Sequence, residues 1–152
     1  CKGVSEERVE HLNRMWHRLR PWPDSVEGLE RLKKRFILAT LSNGNVALLV
    51  NMAKFSSLPW DTILGAEVSR SFKPMPHTYL ITASTLGLAP EECMMVAAHN
   101  SDLQVASGLG FRTAFVCRPE EYGPKQRTDL EAEDDYDLIA NDFINLAEQL
   151  NC

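Results

Sequence analysis

The sequence predicts an α/β fold built on a doubly wound parallel sheet. Short, continuous apolar runs alternate with longer segments in which apolar residues recur at helical spacing. Several of the apolar runs end in polar turn residues, as buried parallel strands do. A length of 152 residues, of which 44% are hydrophobic, is enough for one globular domain with a real core. Strands that alternate with helices in this way are typical of a parallel sheet covered by helices on both faces.

The first two predicted elements are helices. Segment 5–20 is predicted as one amphipathic helix, which Pro21 and Pro23 stop, because its apolar residues recur at helical spacing. These apolar residues are Val9, Leu12, Met15, Trp16 and Leu19. A second helix is predicted to begin at the cap candidates Asp24 and Ser25 and to end in the basic run 33–35.

The rest of the chain predicts strands and helices in alternation. Residues 36–41 form a continuous apolar run and are predicted as a buried parallel strand that ends in the turn 42–45. The polar stretch 118–135 contains two prolines and a glycine and is predicted as a long surface loop. The other predicted elements are strands at 93–98, 112–117 and 136–140 and helices at 45–55, 76–86, 101–109 and 143–150.

Composition excludes several classes of function. The net charge is -5 and the basic residues are scattered, so we expect no nucleic-acid partner. No apolar run is long enough to span a bilayer and no secretory leader opens the chain, so we expect no membrane partner and a cytoplasmic location. The four cysteines, Cys1, Cys93, Cys117 and Cys152, lack metal-type spacing and predict neither a zinc site nor a disulfide framework. Because the chain opens with Cys rather than Met, we expect a piece of something longer, with an incomplete site.

Polar clusters follow two of the predicted strands, where ligands of open α/β sheets bind. Ser-Asn-Gly-Asn at 42–45 follows one strand and His-Asn-Ser-Asp at 99–102 follows another. Lys73 lies before a proline, just ahead of a predicted helix, from which its ammonium can reach the same crevice. Each feature also has a structural interpretation: turn residues cap helices, and a lone lysine is usually solvated. Their joint placement favours a site.

Three motifs carry a resemblance to a known family. They are Leu-Ser-Asn-Gly-Asn at 41–45, Phe-Lys-Pro at 72–74 with Tyr79 six positions after the lysine, and Met-Val-Ala-Ala-His-Asn-Ser-Asp-Leu at 95–103. Their order and spacing resemble three of the four motifs of the haloacid dehalogenase superfamily, and within it the type II (S)-2-haloacid dehalogenases. Segments 21–24, 58–61 and 118–124 also look like this subgroup, so the resemblance covers nearly the whole chain.

The resemblance implies a Rossmann-like core with a helical cap inserted after the first strand, and a nucleophilic aspartate on that strand. Neither the strand nor its Asp-x-x-Gly-Thr motif is found in the sequence. Residues 1–20 would therefore be the C-terminal end of the cap, and residues 21–152 a core that lacks its first strand, with the chain truncated at its N-terminus. The implied reaction displaces halide from C2 of a small 2-haloacid and then hydrolyses the aspartyl ester.

Catalytic roles follow from the resemblance for four residues. Lys73 matches the lysine that pairs with the nucleophile and keeps it ionised. Asp102 matches the carboxylate that orients the partners of the nucleophile or activates the hydrolytic water. Ser42 matches the serine that holds the nucleophile or the substrate carboxylate, and Asn100 looks like the accompanying asparagine.

Substrate-binding roles are implied for Ser42, Asn43, Tyr79 and His99. The arginine that binds halide in the family would lie outside these residues. We expect no metal and no cofactor, a small anionic 2-haloacid as the partner and, by resemblance, a homodimer. The chain by itself is expected to be inactive.

Two alternatives remain open. Most members of the superfamily are magnesium-dependent phosphatases, which carry a second carboxylate a few residues before the position of Asp102. Here positions 96–99 read Val-Ala-Ala-His, which weakens a site for a hard cation and favours dehalogenation. The other alternative is a non-catalytic remnant that binds a small anion or a protein partner, because the nucleophile is not in the sequence.

Overall fold

A computed structural model describes residues 3–152 of the chain. Seven α-helices and three β-strands are formed by these residues. The helices are α1 Glu6–Trp16, α2 Ser25–Leu32, α3 Val46–Ser56, α4 Ala66–Ser69, α5 Pro76–Thr85, α6 Asn100–Gly108 and α7 Phe143–Gln149. The strands are β1 Met94–Ala97, β2 Arg112–Val116 and β3 Leu138–Ala140. The α/β class with a parallel sheet is thus confirmed.

The three strands form one parallel sheet in the order β1–β2–β3. Met95 lies opposite Thr113, and Phe115 lies opposite Ile139. The central strand β2 is buried at every position but its first, which explains why its sequence is continuously apolar rather than alternating. Its side chains alternate between two separate cores, one on each face of the sheet.

Helices cover both faces of the sheet. One core cluster lies between the sheet and α5 and α6 and contains Tyr79, Leu103 and Phe115. The other lies between the sheet and α2 and α7 and contains Leu32, Val116 and Leu146. Gly28 allows α2 to approach α7 closely, since a methyl group there would overlap the backbone of Phe143. This three-layer arrangement is the doubly wound architecture that the sequence predicts.

The predicted strand at 36–41 is the main correction. Its only β-pairing is an isolated parallel bridge between Ala39 and Thr62, and its residues are half-buried or exposed rather than buried. The segment is hydrogen-bonded along one edge only, where Leu38 O accepts from Asp61 N (2.9 Å) and Thr62 N (3.2 Å). A buried strand has a neighbouring strand along each of its two edges. No strand among the described residues pairs with the second edge of segment 36–41.

The first helix is confirmed, but it is shorter and less buried than its pattern predicts. It ends at Trp16 instead of near residue 20, and it contains no buried residue. Its apolar residues Val9, Leu12, Met15 and Trp16 are all exposed. The Ser5 hydroxyl caps the helix by accepting from Arg8 N (3.4 Å). Local signals therefore form the helix, while its apolar face lacks a partner among the described residues.

Local chemistry explains several other boundaries. The Asn45 side chain caps α3 by accepting from Leu48 N (2.8 Å), and Pro76 occupies the first turn of α5. Asp24 occupies the N-cap position of α2, as predicted, but its carboxylate makes no cap hydrogen bond. The short helix α4 and a 3₁₀ turn at Pro90–Glu92 were not predicted. The stretch 118–135 contains neither helix nor strand, as predicted.

No helix in residues 3–152 is long and apolar enough to cross a membrane. Cys93, Cys117 and Cys152 are not disulfide-bonded. Cys1 lies outside the described residues.

Candidate active site

A lysine, an aspartate and a tyrosine converge beyond the carboxyl end of β1. Lys73 Nζ lies 2.5 Å from Asp102 Oδ2, and the Tyr79 hydroxyl donates to Asp102 Oδ1 at 2.9 Å. Only 17% of the Lys73 side chain and 12% of the Asp102 side chain are exposed, so solvent screens this ion pair less than a surface pair. Both carboxylate oxygens of Asp102 thus have a fixed donor.

Three different elements bring these residues together. Asp102 lies in the first turn of α6, and two residues separate the end of β1 from the start of this helix. Tyr79 lies in the first half of α5 and is fully buried at 0% exposure. Lys73 belongs to the loop between α4 and α5, and its peptide bond to Pro74 is cis. The convergence of loops and helix starts at strand ends is what the parallel topology produces.

The turn at 42–45 holds Lys73 in place. Asn43 Oδ1 accepts from Lys73 N (2.6 Å), and Asn43 Nδ2 donates to Lys73 O (3.1 Å). Both ends of the asparagine amide are thereby used on the lysine backbone. The Ser42 hydroxyl accepts from Gly44 N at 3.0 Å and so shapes the same turn. The turn thus positions Lys73 from 30 residues away in sequence.

Tyr79 remains a hydrogen-bond donor in this setting. Burial, followed by the hydrogen bond to Asp102 and the negative charge of that carboxylate, strongly raises the pKa of the Tyr79 hydroxyl. A protonated phenol donates its hydrogen to Asp102 and shares that carboxylate with the Lys73 ammonium. The trio therefore keeps one ammonium and one carboxylate at a defined place.

A cavity of about 320 Å³ adjoins this trio. Its walls include the charged or ionisable side chains of Lys73, Asp102, His99, Arg118 and Glu121. The remaining lining is mainly apolar and includes Trp22, Leu41, Val96 and Phe143. A small apolar cavity with a few converging polar groups is the usual form of a small-ligand site.

His99 is anchored by the long loop. Its Nε2 lies 3.0 Å from both carboxylate oxygens of Glu121 and 3.1 Å from the Tyr122 hydroxyl, and the two rings stack. A carboxylate beside one ring nitrogen favours the tautomer that carries hydrogen there, which leaves Nδ1 as an acceptor. The structure thus brings His99 to the cavity with a defined neighbour, as the strand-end argument predicts.

Asn100 faces away from the trio. Its side-chain amide donates to Asp129 Oδ1 (3.1 Å) and Glu131 O (3.0 Å), and its carbonyl oxygen accepts from Glu133 N (2.9 Å) and the Tyr136 hydroxyl (3.0 Å). All four hydrogen-bonding positions of the amide are occupied by the C-terminal part of the long loop and by Tyr136, which follows it. In this geometry Asn100 anchors that segment, and its predicted catalytic role finds no partner in the trio.

Sequence reasoning missed a buried ion pair beside the cavity. The Arg118 guanidinium donates to both carboxylate oxygens of Asp24, at 2.9 and 2.7 Å, and lies over the rings of Trp22 and Phe143. Asp24 also accepts from Phe143 N at 2.8 Å, so it links α2 to the start of α7. The two partners are 94 residues apart, and no local pattern relates them.

Burial and hydrogen bonding act in opposite directions on Asp24. Burial by itself raises the pKa of the carboxyl, but the hydrogen bond from Arg118, the Phe143 amide and the guanidinium charge together lower that pKa. The side chain is therefore a carboxylate at neutral pH. Arg118 is neutralised by it, and Lys73 by Asp102.

The donor set near the trio offers little to a hard cation. No group of three His, Cys, Asp or Glu side chains suited to a metal ion occurs in residues 3–152. Ala97 and Ala98 precede His99 at the carboxyl end of β1, and Asp102 is already bonded to Lys73 and Tyr79. These residues supply one engaged carboxylate where Mg²⁺ needs several oxygen ligands.

The fold and the site together define an α/β protein with a charged crevice at the carboxyl end of a parallel sheet. The haloacid dehalogenase-like hydrolase family model matches residues 2–110, and the chain belongs to this family. It is 35% identical over 127 residues to (S)-2-haloacid dehalogenase 4A of Burkholderia cepacia, covering 80% of this chain and 53% of that protein.

Other similar proteins include a second dehalogenase and a phosphatase. The crystal structure of the L-2-haloacid dehalogenase PA0810 superposes with a TM-score of 0.95 at 48% identity, covering 98% of this chain and 64% of that one. Phosphoglycolate phosphatase of Aquifex aeolicus is 32% identical over 100 residues, covering 64% of this chain and 47% of that protein. The chain spans about half the length of the curated relatives it matches.

Proposed function

We propose that the chain supplies the supporting half of an active site that hydrolyses the carbon–halide bond of small 2-haloacids. The observation that carries this proposal is the buried trio of Lys73, Tyr79 and Asp102 beside a small, largely apolar cavity. A nucleophilic aspartate, which the family resemblance requires, would act next to the Lys73 ammonium. The similarity to 2-haloacid dehalogenases over most of the chain supports the same substrate class.

Lys73 has the central role in this proposal. An ammonium beside a carboxylate favours its charged form, which is the form that attacks carbon and expels halide. Asp102 and Tyr79 act through Lys73: Asp102 binds its ammonium, and Tyr79 holds Asp102 in place. Asn43 fixes the lysine backbone, so it is a positioning residue, and Ser42 keeps the turn in shape.

The second half of the reaction needs a base. Water adds to the carbonyl carbon of the aspartyl ester and loses a proton, and cleavage of that acyl carbon–oxygen bond releases the 2-hydroxyacid and regenerates the aspartate carboxylate. Asp102 is poorly suited to accept the proton, because both of its oxygens are hydrogen-bonded. We assign this role to Nδ1 of His99, whose other ring nitrogen faces Glu121.

The domain division is part of the proposal. The exposed apolar face of α1 supports residues 1–20 as the C-terminal end of a helical cap, and the parallel sheet between helices supports residues 21–152 as a Rossmann-like core that lacks its first strand. Homodimerisation and a cytoplasmic location stay predictions.

The test of the proposed function is halide release. A polypeptide that joins these 152 residues to a segment bearing the nucleophile should release chloride from 2-chloropropionate in the presence of EDTA. Lys73→Ala should lower kcat by orders of magnitude, whereas Lys54→Ala, an exposed lysine on α3, should leave kcat unchanged and serves as the matched control. Near-normal turnover of Lys73→Ala would remove the role assigned to Lys73.

The test also separates the phosphatase alternative. Phosphate release from phosphomonoesters that depends on Mg²⁺, with no chloride release under any condition, would overturn the dehalogenase proposal. A protein that binds 2-chloropropionate without releasing chloride would instead fit the non-catalytic remnant. The Asp102 carboxylate is already engaged and positions 96–99 supply no second one, which favours chloride release.

A further inference from the structure

Two consecutive residues bind the two halves of the long loop 118–135. The His99 ring contacts the first half at Glu121 (3.0 Å), and the Asn100 amide contacts the second half at Asp129 (3.1 Å). His99 immediately precedes α6, and Asn100 is the first residue of that helix. The start of α6 therefore ties the loop to the carboxyl end of β1 at two points.

The loop has little structure of its own. It contains neither helix nor strand, and none of residues 119–131 is buried. Its backbone hydrogen bonds form isolated turns, such as Gly123 N to Glu120 O (2.9 Å) and Gln126 N to Gly123 O (3.0 Å). A segment with few buried contacts and an exposed backbone opens at little cost in free energy. The contacts that the loop makes with the rest of the molecule therefore decide where its first half lies.

Asn100 supplies one set of these contacts from a buried position, with only 2% of its surface exposed. Its amide donates to Asp129 and Glu131 and accepts from Glu133 and Tyr136, as described above. Its backbone N–H also donates to Asp129 Oδ1 at 2.8 Å, and its backbone oxygen accepts from the Tyr136 hydroxyl at 3.3 Å. We call this set of hydrogen bonds the latch. Removal of the Asn100 side chain takes away every hydrogen bond of the latch except the two backbone ones.

His99 depends on the first half of the loop for its orientation. Its Nε2 faces Glu121 and the Tyr122 hydroxyl, and the Tyr122 ring stacks on the imidazole with 6.1 Å between the ring centroids. No other side chain in residues 3–152 hydrogen-bonds to the imidazole. A histidine that accepts a proton at Nδ1 becomes an imidazolium, which a carboxylate at the other nitrogen stabilises. Displacement of the loop would remove that carboxylate from His99.

We propose that Asn100 is a positioning residue for His99 that acts through the latch and the loop. This role rests on the proposed function, in which Nδ1 of His99 accepts a proton from water. The water oxygen bonds to the acyl carbon of the aspartyl ester, and the bond from that carbon to the 2-hydroxyacid oxygen then breaks. The departing oxygen takes the proton of the new carboxyl group, and the imidazolium returns its proton to solvent. Halide displacement does not need the latch, because it uses the nucleophile beside Lys73.

The first experiment measures the latch by nuclear magnetic resonance in the 152-residue chain. Asn100→Ala disrupts the latch from the helix, and Asp129→Gly disrupts it from the loop, where glycine tolerates the positive φ of that position. Amide order parameters at Glu121 and Tyr122 should fall from about 0.85 to below about 0.6 in both variants, with those of β2 unchanged. The nuclear Overhauser contact between the rings of Tyr122 and His99 should disappear.

The second experiment measures which chemical step is slowed. It uses the polypeptide that joins these residues to a segment bearing the nucleophile, mixed rapidly with 2-chloropropionate. Asn100→Ala, Asp129→Gly and Glu121→Gln should release the first equivalent of chloride at the unsubstituted rate and then turn over at least about tenfold more slowly, because ester hydrolysis is impaired. Asn51→Ala and Glu120→Gln change an exposed amide and an exposed carboxylate outside the latch, so these matched controls should keep the steady-state rate.

Three results would overturn the inference while leaving the proposed function in place. They are an ordered first half of the loop in the folded latch variants, normal steady-state turnover in those variants, and a first equivalent of chloride that is slowed as much as turnover. If Asn100→Ala does not fold, Asp129→Gly decides. Absence of chloride from the unsubstituted polypeptide would overturn the proposed function and with it the role of Asn100 in hydrolysis. The order parameters would still show whether the latch holds the loop.

Discussion

Similar apolar sequence patterns are buried in one part of this molecule and exposed in another. We call the part that contains β1 and β2 the closed side, and the part that contains run 36–41 and α1 the open side. On the closed side, the runs at β1 and β2 become paired strands, and β2 is buried on both faces. On the open side, the run 36–41 makes one isolated bridge, and the apolar face of α1 stays exposed. Both sides contain continuous apolar residues, so the sequence pattern does not explain the difference in burial. The presence or absence of a packing partner does. An apolar surface becomes buried only where a second surface packs against it.

The largest expected effect is loss of the buried ion pair that links α2 to α7. Arg118→Met should lower the free energy of unfolding by about 3–5 kcal/mol, because it leaves the Asp24 carboxylate buried without its partner. Denaturant unfolding measures the change. Arg112→Met is the matched control, since its pair with Asp137 is largely exposed and is worth about 1 kcal/mol or less. Equal losses in the two variants would contradict the burial argument.

The next effect contrasts one leucine from each side. Leu103→Ala on the closed side should cost about 2–5 kcal/mol, because the residue is 0% exposed and its removal leaves a cavity. Leu12→Ala on α1 should change the free energy of unfolding by no more than about 0.5 kcal/mol, because Leu12 is 59% exposed. If both substitutions cost the same, the open side is packed against something in solution, which would break the comparison.

A smaller effect is expected on the free energy of unfolding at acid pH. The folded state lowers the pKa of Asp24, so its contribution to stability is complete above the unfolded-state pKa of about 3.9 and is lost as pH falls through the lower folded-state value. The stability difference between the chain and Arg118→Met should therefore narrow below about pH 4, because Arg118 is the main cause of the lowering. Urea unfolding at neutral and acid pH tests this. A difference independent of pH would show that Asp24 does not titrate with the pair.

The smallest expected effect is the loss of an exposed ion pair on α1, on the open side. Glu10→Ala removes an ion pair with Arg14 on α1, whose side chains are 63% and 74% exposed. Solvent screening limits such a pair, so we expect a change of about 0.5 kcal/mol or less in the free energy of unfolding. Thermal unfolding at low and high salt is the measurement. A loss comparable with that of Arg118→Met would mean that α1 is buried in solution.

The active-site residues show which predictions a sequence supports. Motif spacing identified Lys73, Tyr79 and Asp102, and the structure brings all three together. Strand-end placement also identified His99, which lines the adjoining cavity. Asn100 belongs to the same motif, yet its amide binds the C-terminal part of the long loop. Adjacent residues on a helix start point in different directions, and motif position alone does not distinguish them.

Long-range contacts explain what sequence reasoning missed. Asp24 precedes a helix and therefore looks like a cap, but its carboxylate binds Arg118, 94 residues away. Glu121 and Tyr122 hold His99 from a loop whose polar composition indicates only exposure. Neither contact leaves a local periodicity, because the chain must fold before the partners meet.

The sequence by itself determined the elements whose cause is local. Apolar runs specified β1 and β2, Asn45 and Pro76 specified helix starts, and the three motifs specified the family. Tertiary structure decided the rest: which apolar run became a strand, whether Asp24 capped a helix or bound a guanidinium, and how Lys73 met Asp102. The physical reason is that propensity and capping act within a few residues, whereas burial and ion pairing need a second surface brought from elsewhere in the chain.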